Sequence, residues 1–212
     1  MTIEVTTFVN GRWKQNCYFV SNRDGDVLII DPGSQAPEII SLVEERGWCV
    51  HGIVNSHAHY DHVGAVAEVK DHYEAPFYLH AADCPLLRRA NLYRMLFETK
   101  DVVKIPDVTH DISALPEQFQ VGPFLVSWIG TPGHTEGSVC FRIEKYLFSG
   151  DTLMHNAIGR TDLPGGNREQ LLASVRNLMS LPGETVVCGG HGPRTTLQEE
   201  FSPSSHVWSL MQ

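Results

Sequence analysis

Short apolar runs that stop abruptly at loops bearing His, Asp and Gly constrain this chain more than any other feature. VHGIVNS runs into SHAHYDH at residues 56–62. FLVSWIG precedes TPGHT at 131–135, YLFSGD ends on SGD at 149–151, and ETVVCGG leads into GGHG at 189–192. Runs this short, rich in Val, Ile and Phe and bounded by turn residues, read as strands. Loops at one rim of a sheet scaffold are where functional sites are built. If the four loops share a rim, His57, His59, Asp61, His62, His134, Asp151 and His191 converge.

The intervening sequence alternates in the same style. NCYFVSN and DVLIID read as strands on either side of the turn RDGD, and APFYLH and SVCFRIE as further strands. PEIISLVEERG has helical spacing at Ile39, Ile40, Leu42 and Val43 and stops at Gly47. VGAVAEVKDHY reads as a helix with Val63, Val66, Ala67 and Val69 inward, and NREQLLASVRNLMSL as one ended by Pro182 and Gly183. Residues 83–99 read as one longer amphipathic helix, a wall or lid for the cleft. Its buried stripe would be Leu86, Leu87, Ala90, Tyr93, Leu96 and Phe97, with Arg88, Arg89 and Arg94 forming either a solvated face or a basic rim near the site. Two β-rich halves, each carrying helices and joined without a linker, predict a layered sandwich with sheets inside and helices outside. The 212 residues fit a single domain over 1–212.

Charge narrows the function. Sixteen basic against 25 acidic side chains give a net charge of −9. That argues against the basic face a nucleic-acid partner requires, but not against a small anionic substrate, because local cations or metals reverse the sign within a cleft. The five cysteines, Cys17, Cys49, Cys84, Cys140 and Cys188, are widely spaced without a CxxC. They read as reduced, mostly packed thiols of a cytoplasmic protein. MTIEVTTFVNGRWKQN has no basic stretch followed by an apolar run, so no secretory signal is expected. No stretch approaches the roughly 20 apolar residues of a membrane span. The expected partner is a small molecule, with no nucleic acid and no membrane, and the expected state a monomer or homodimer. Trp208 either packs back or joins a dimer interface.

Seven donors exceed the roughly four of one tetrahedral ion and suit two divalent ions. His57 and His59, two apart in an extended segment, point to one side, and His134 completes a triad. Asp61 and His62, at the start of the next helix, join His191 around a second ion. Asp151 has two oxygens with which to bridge the pair, with water between. Gly133, Gly150, Gly190 and Gly192 each lie within one residue of a donor, where the backbone must turn sharply. A lone His is ordinarily a hydrogen-bonded or surface residue, and His51, His72, His80, His110 and His206 are read so. Four fixed residues in six positions, followed in order by three further loops, weigh against a polar turn without chemistry. Nitrogen and oxygen donors without cysteine suit zinc first, with iron or manganese as alternatives.

At these residues the chain resembles the metallo-β-lactamase superfamily. SHAHYDH is similar to its signature, and His134, Asp151 and His191 match its later ligands in order. The resemblance runs from DPG at 31–33 to HGPRTTL at 191–197. It implies a four-layer αβ/βα sandwich, two sheets flanked by helices, with a dinuclear site at one edge. Within the superfamily the chain is most similar to small glyoxalase II-like hydroxyacylglutathione hydrolases, through DPG, IGRTDLPGGN at 158–167 and HGPRTTLQEE. That implies hydrolysis of S-lactoylglutathione or a related acyl thioester by a metal-bridging hydroxide, oriented by Asp61 as the catalytic carboxylate. Arg160 falls where the family places a basic residue near the thiol carrier, and is otherwise a loop residue paired with Asp162. Ser56 replaces a usual threonine, a change expected to matter little. After His191 only Gly192 to Gln212 follow, so the separate helical domain that contacts glutathione in full glyoxalase II enzymes is expected to be absent.

The alternatives are an iron-dependent persulfide dioxygenase, similar at TPGHT and GRTD, and a lactone or other ester hydrolase of the same superfamily. His191 in GHGP supplies a second triad and favours hydrolysis over the single-iron chemistry. A nucleic-acid hydrolase would need a basic surface, a secreted β-lactamase a signal peptide, and a non-enzymatic metal protein no room for water.

Overall fold

The structure is a computed structural model that describes residues 2–212. Two sheets of six strands form its centre. The first is built from β1 (Ile3–Asn10), β2 (Gln15–Asn22), β3 (Asp26–Ile30), β4 (Cys49–Val54), β5 (Phe77–Leu79) and β6 (His110–Asp111), in that order across the sheet. β1 to β3 pair antiparallel through tight turns, and β3 to β6 pair parallel. Parallel strands need crossovers. These are supplied by α1 (Ala36–Arg46), by α2 (Tyr60–Val63) with α3 (Val66–Tyr73), and by α4 (Cys84–Arg88) with α5 (Ala90–Phe97).

The second sheet runs β12-β11-β10-β9-β8-β7. Its strands are β7 (Gln118–Val121), β8 (Phe124–Gly130), β9 (Val139–Ile143), β10 (Tyr146–Gly150), β11 (Val186–Gly189) and β12 (Thr195–Thr196). β7 to β10 form an antiparallel meander, and β10 pairs parallel with β11 across α6 (Arg168–Leu178). α7 (Leu197–Glu200) and α8 (His206–Leu210) close the chain.

Side-chain alternation sets the layers. Tyr18 and Val20 of β2 and Leu28 and Ile30 of β3 enter the core between the sheets, where they meet Phe124, Val126, Phe141 and Phe148. Their neighbours Cys17, Phe19, Val27 and Ile29 face the other way, onto Ile39 and Val43 of α1 and Val66 and Val69 of α3. Leu171, Val175 and Leu178 of α6 cover the far face of the second sheet. The result is the expected four-layer αβ/βα sandwich. Trp208 packs back onto this last cluster.

Two readings need correction. Residues 83–99 are not one helix, because the backbone breaks at Arg89 (φ −100, ψ 4). The break turns the second half, so that Leu87 and Ala90 are buried while Leu96 and Phe97, assigned to the core, are exposed at 64% and 42%. The predicted helix from Val63 is likewise two pieces, with α2 carrying Asp61 and His62. The N-terminal segment forms β1, whose regular alternation is hidden by Thr6, Thr7 and Phe8 on its half-exposed middle.

Candidate metal centre

All four loops emerge at the C-terminal ends of their strands, β4, β8, β10 and β11, and they do meet. His57, His59 and His134 form one group and Asp61, His62 and His191 another, each offering donor atoms within 4.8 Å of one another. Asp151 lies between them, its Oδ1 3.5 Å from His62 Nε2 and its Oδ2 3.5 Å from His134 Nε2 and 3.7 Å from His191 Nε2. His191 Nε2 is also 3.5 Å from Asp61 Oδ2. Donors about 2.0–2.1 Å from a tetrahedral metal lie about 3.3–3.4 Å apart along the polyhedron edge. The separations around Asp151 and between His191 and Asp61 are slightly above that length and too long for good hydrogen bonds, whereas His59 Nδ1 and His134 Nε2 lie at hydrogen-bond distance, 2.8 Å.

Unmet hydrogen-bonding capacity provides a second test of fit. His57 Nε2, His62 Nε2 and Asp151 Oδ1 are buried side-chain atoms without a partner. Such atoms are costly unless something else satisfies them. Meanwhile the opposite ring nitrogens are held. His62 Nδ1 bonds Asp31 Oδ2 at 3.0 Å, His134 Nδ1 bonds the Arg160 carbonyl at 2.8 Å, and His191 Nδ1 bonds the Trp13 carbonyl at 3.0 Å. His57 Nδ1 lies 3.0 Å from Ser56 Oγ. Partners on the far nitrogen fix ring orientation and aim the near nitrogen at the centre. The residues therefore fit a pair of divalent ions.

Protonation agrees. Burial, together with the charges of the neighbouring imidazoles, holds His57 well below the usual histidine range and His59 down to about 3. Both are thus neutral, the ligand form. Burial opposes ionisation of Asp151, but His62, His191 and His134 hold its carboxyl well below the usual carboxylate range. Burial likewise opposes ionisation of Asp61, and His191 and His62 outweigh it.

Two carboxylates that sequence reasoning missed hold the loops. Asp31, of DPG, accepts from Ser56 N at 2.7 Å, from Ser56 Oγ at 2.6 Å and from His62. Ser56 thus uses the hydroxyl a threonine would share. Asp83 is 1% exposed. It accepts from Ala58 N at 2.8 Å, Thr135 Oγ1 at 2.9 Å and Gly137 N at 2.7 Å. It thereby ties the His57–His59 loop of one sheet to the His134 loop of the other. The start of an apolar stripe gave no sign of this. Gly190 is required by contact and not by turning: its φ is not positive, and a Cβ would lie 2.2 Å from Asp151 Oδ1 and 2.7 Å from His62 Cε1. Gly150 has both needs, with φ 47 and a Cβ position 2.2 Å from Ser56 Oγ.

The donors floor an open cleft of about 270 Å³, walled by Trp13, Tyr60, Tyr93, Phe97 and Leu163. Arg160 lines it too, with Nε and Nη2 each 2.7 Å from a carboxylate oxygen of Asp162.

The chain belongs to the metallo-beta-lactamase superfamily, whose family model matches residues 10–191. A probable metallo-hydrolase, YqgX of Bacillus subtilis (strain 168), is 37% identical and aligned over 94% of this chain and 96% of its own. Hydroxyacylglutathione hydrolase GloC of Haemophilus influenzae is 30% identical, over 93% and 92%. Among solved structures, the BLEG-1 B3 metallo-beta-lactamase superposes with a TM-score of 0.87 at 35% identity, over 93% of this chain and 96% of that one. TTHA1623 in a di-iron-bound form superposes with a TM-score of 0.80 at 36% identity, over 92% and 96%. Among the described residues no helix is long and apolar enough to cross a membrane.

Proposed function

We propose that this superfamily member is a metal-dependent hydrolase, and specifically a thioesterase of glyoxalase II type acting on S-lactoylglutathione or a related acyl thioester. The observation that carries it is the pair of donor groups joined through Asp151 and opening onto a small-molecule cleft. His57, His59 and His134 would hold one ion and Asp61, His62 and His191 the other, with Asp151 shared. Zinc is the expected metal, with iron or manganese as alternatives. Divalent ions bound there would supply a hydroxide nucleophile at neutral pH and a Lewis acid for the carbonyl oxygen.

The chain's own groups do the rest. Asp61, kept ionised by His191 and His62, accepts a hydrogen bond from the attacking water and orients it. The Arg160 carbonyl, Asp31 and the Trp13 carbonyl keep the imidazoles aimed at the centre. The Arg160 side chain, paired with Asp162, is the one Lys or Arg among the described residues that a thiol carrier in the cleft would meet. A thiolate leaves readily, so no strong general acid is needed. The 30% identity to a hydroxyacylglutathione hydrolase supports the thioester.

Oxidation of a persulfide by a single iron would leave Asp61, His62 and His191 without a role, and their grouping supports hydrolysis. β-Lactam hydrolysis is a second reading, favoured by the 35% identity to BLEG-1. The protein is proposed to act in the cytoplasm, as a monomer or homodimer.

The test is thiol release from S-lactoylglutathione by protein refilled with zinc, iron or manganese, beside Asp61→Ala and a β-lactam substrate. A kcat/KM of about 10⁴ M⁻¹s⁻¹ or more, lost in the variant, is expected. Thiol release no faster than the variant's, with β-lactam turnover intact, would transfer the site to the second reading. Oxygen uptake with a persulfide by the iron form would transfer it to oxidation.

A further inference from the structure

The wall of the cleft differs in character from its floor. Trp13, in the turn between β1 and β2, is 47% exposed, and Phe97 on α5 is 42% exposed. Tyr93, one turn before Phe97, stacks on it with ring planes 1° apart and centroids at 6.5 Å. Tyr60, the first residue of α2, lines the same cleft. With Leu163 these side chains surround a space directly above His59, Asp61, His134 and His191. Trp13 is fixed to that floor through its carbonyl, which accepts from His191 Nδ1.

Charge on the wall is scarce. Arg160 is the one Lys or Arg lining the cleft among the described residues, and Asp162 already holds it through two bonds of 2.7 Å. Arg89 lines a separate small cavity on the other side of Tyr93, beside Glu136. A carrier with several carboxylates would therefore meet one neutralised cation, whereas an alkyl or aryl group would cover exposed aromatic carbon. Apolar burial of this kind is the main source of small-ligand affinity in clefts.

We propose that Trp13, Tyr60, Tyr93, Phe97 and Leu163 receive an apolar arm of the substrate beside the scissile carbonyl, so that alkyl or aryl substituents, and not an anionic carrier, determine specificity. The proposal rests on the thioesterase reading and sharpens its substrate class. The arm can belong to the acyl group or to the thiol, and the test separates the two.

Two substrate series would be measured with metal-loaded protein. One lengthens the acyl group from acetyl to hexanoyl on N-acetylcysteamine. The other keeps the lactoyl group and changes the thiol from glutathione to N-acetylcysteamine, butanethiol and hexanethiol. The expected result is a kcat/KM that climbs by up to roughly fourfold per methylene in one series, the transfer value of a buried CH₂. Phe97→Ala and Trp13→Ala flatten the climb. Phe97 is exposed, so that variant retains its fold. Flat series, with lactoylglutathione the best substrate, would overturn the proposal while leaving the thioesterase reading in place. If no thioester is cleaved, calorimetry of metal-free protein with S-hexyl- and S-methylglutathione decides. Tighter binding of the hexyl thioether, lost in Phe97→Ala, upholds the wall without the reaction, and equal binding of the two rejects it.

Discussion

Replacing Asp83 by Asn tests whether the centre is assembled by a buried carboxylate that bonds neither metal nor substrate. The substitution keeps volume and one carbonyl oxygen. The wild-type carboxylate serves three donors, with Ala58 N and Thr135 Oγ1 on one oxygen and Gly137 N on the other. Whichever way an Asn amide turns, its NH₂ faces at least one backbone N–H. Leaving one buried donor unsatisfied costs about 1–3 kcal/mol, and the surviving bonds lose their charge assistance, about 1 kcal/mol each. Burial opposes ionisation of Asp83 and raises its pKa, so removing the charge returns part of that sum. A net loss of about 2–4 kcal/mol follows, or roughly 4–16 °C in Tm for a chain of this size. Urea denaturation with chelator present measures the fold alone. Zinc titration of the refolded variant measures the centre, where a loss of about 10–100-fold in affinity is expected because Ala58 and Thr135 flank its ligands. A stability change under about 0.5 kcal/mol, with unchanged zinc affinity, would refute the reasoning.

Chelation is expected to lower Tm and added zinc to restore it. At a free concentration about 100 times Kd the gain is about 2.7 kcal/mol, and a calorimetric scan insensitive to metal would count against the donor cluster as a metal site. Gly190→Ala should keep its far-UV circular dichroism but lose metal stoichiometry, since the new Cβ occupies the space between Asp151 Oδ1 and His62 Cε1. Elemental analysis reads the result, and full occupancy would contradict the contact argument. Thiol titration at pH 8 should modify Cys49, the exposed cysteine, first. Burial raises Cys17, and lifts Cys140 to about 11 and Cys188 to about 12. A raised pKa means less thiolate at that pH, so these three should react only after denaturation, and rapid labelling of any of them in the native protein would show local opening.

The candidate donors were legible because metal chemistry demands rare residue types at fixed spacing, and SHAHYDH concentrates them. The strands were legible because apolar runs buried on both faces leave few readings. β2 and β3 place Cys17, Phe19, Val27 and Ile29 in one core and Tyr18, Val20, Leu28 and Ile30 in another. The helix at 83–99 was misread for a physical reason. Leu96 and Phe97 have the apolarity of a core stripe, yet both stay exposed and Phe97 lines a cleft. Periodicity reports that a surface is apolar, not what will cover it. Asp31 and Asp83 were illegible as positioning groups because each acts through backbone amides far along the chain, and an isolated Asp carries no mark of a distant partner.

The two sheets contribute unequally placed halves of one site, so the packing between them determines donor geometry. Their shared core is apolar and non-directional, which fixes distance better than register. Polar bonds at the site end supply the register. Asn16 Nδ2 and the Tyr18 hydroxyl both donate to the Gly189 carbonyl, at 2.9 and 2.7 Å, linking β2 to the strand that leads to His191. Val139 N donates to the Ser56 carbonyl at 2.9 Å, and Asp83 spans the remaining gap. Held this way, His57 Nε2, His62 Nε2 and Asp151 Oδ1 face the centre without a partner from the protein. Ligation would supply that partner. Metal affinity and the stability of the sheet-to-sheet packing draw on the same free energy, and a substitution that loosens β2 against β11 should weaken both.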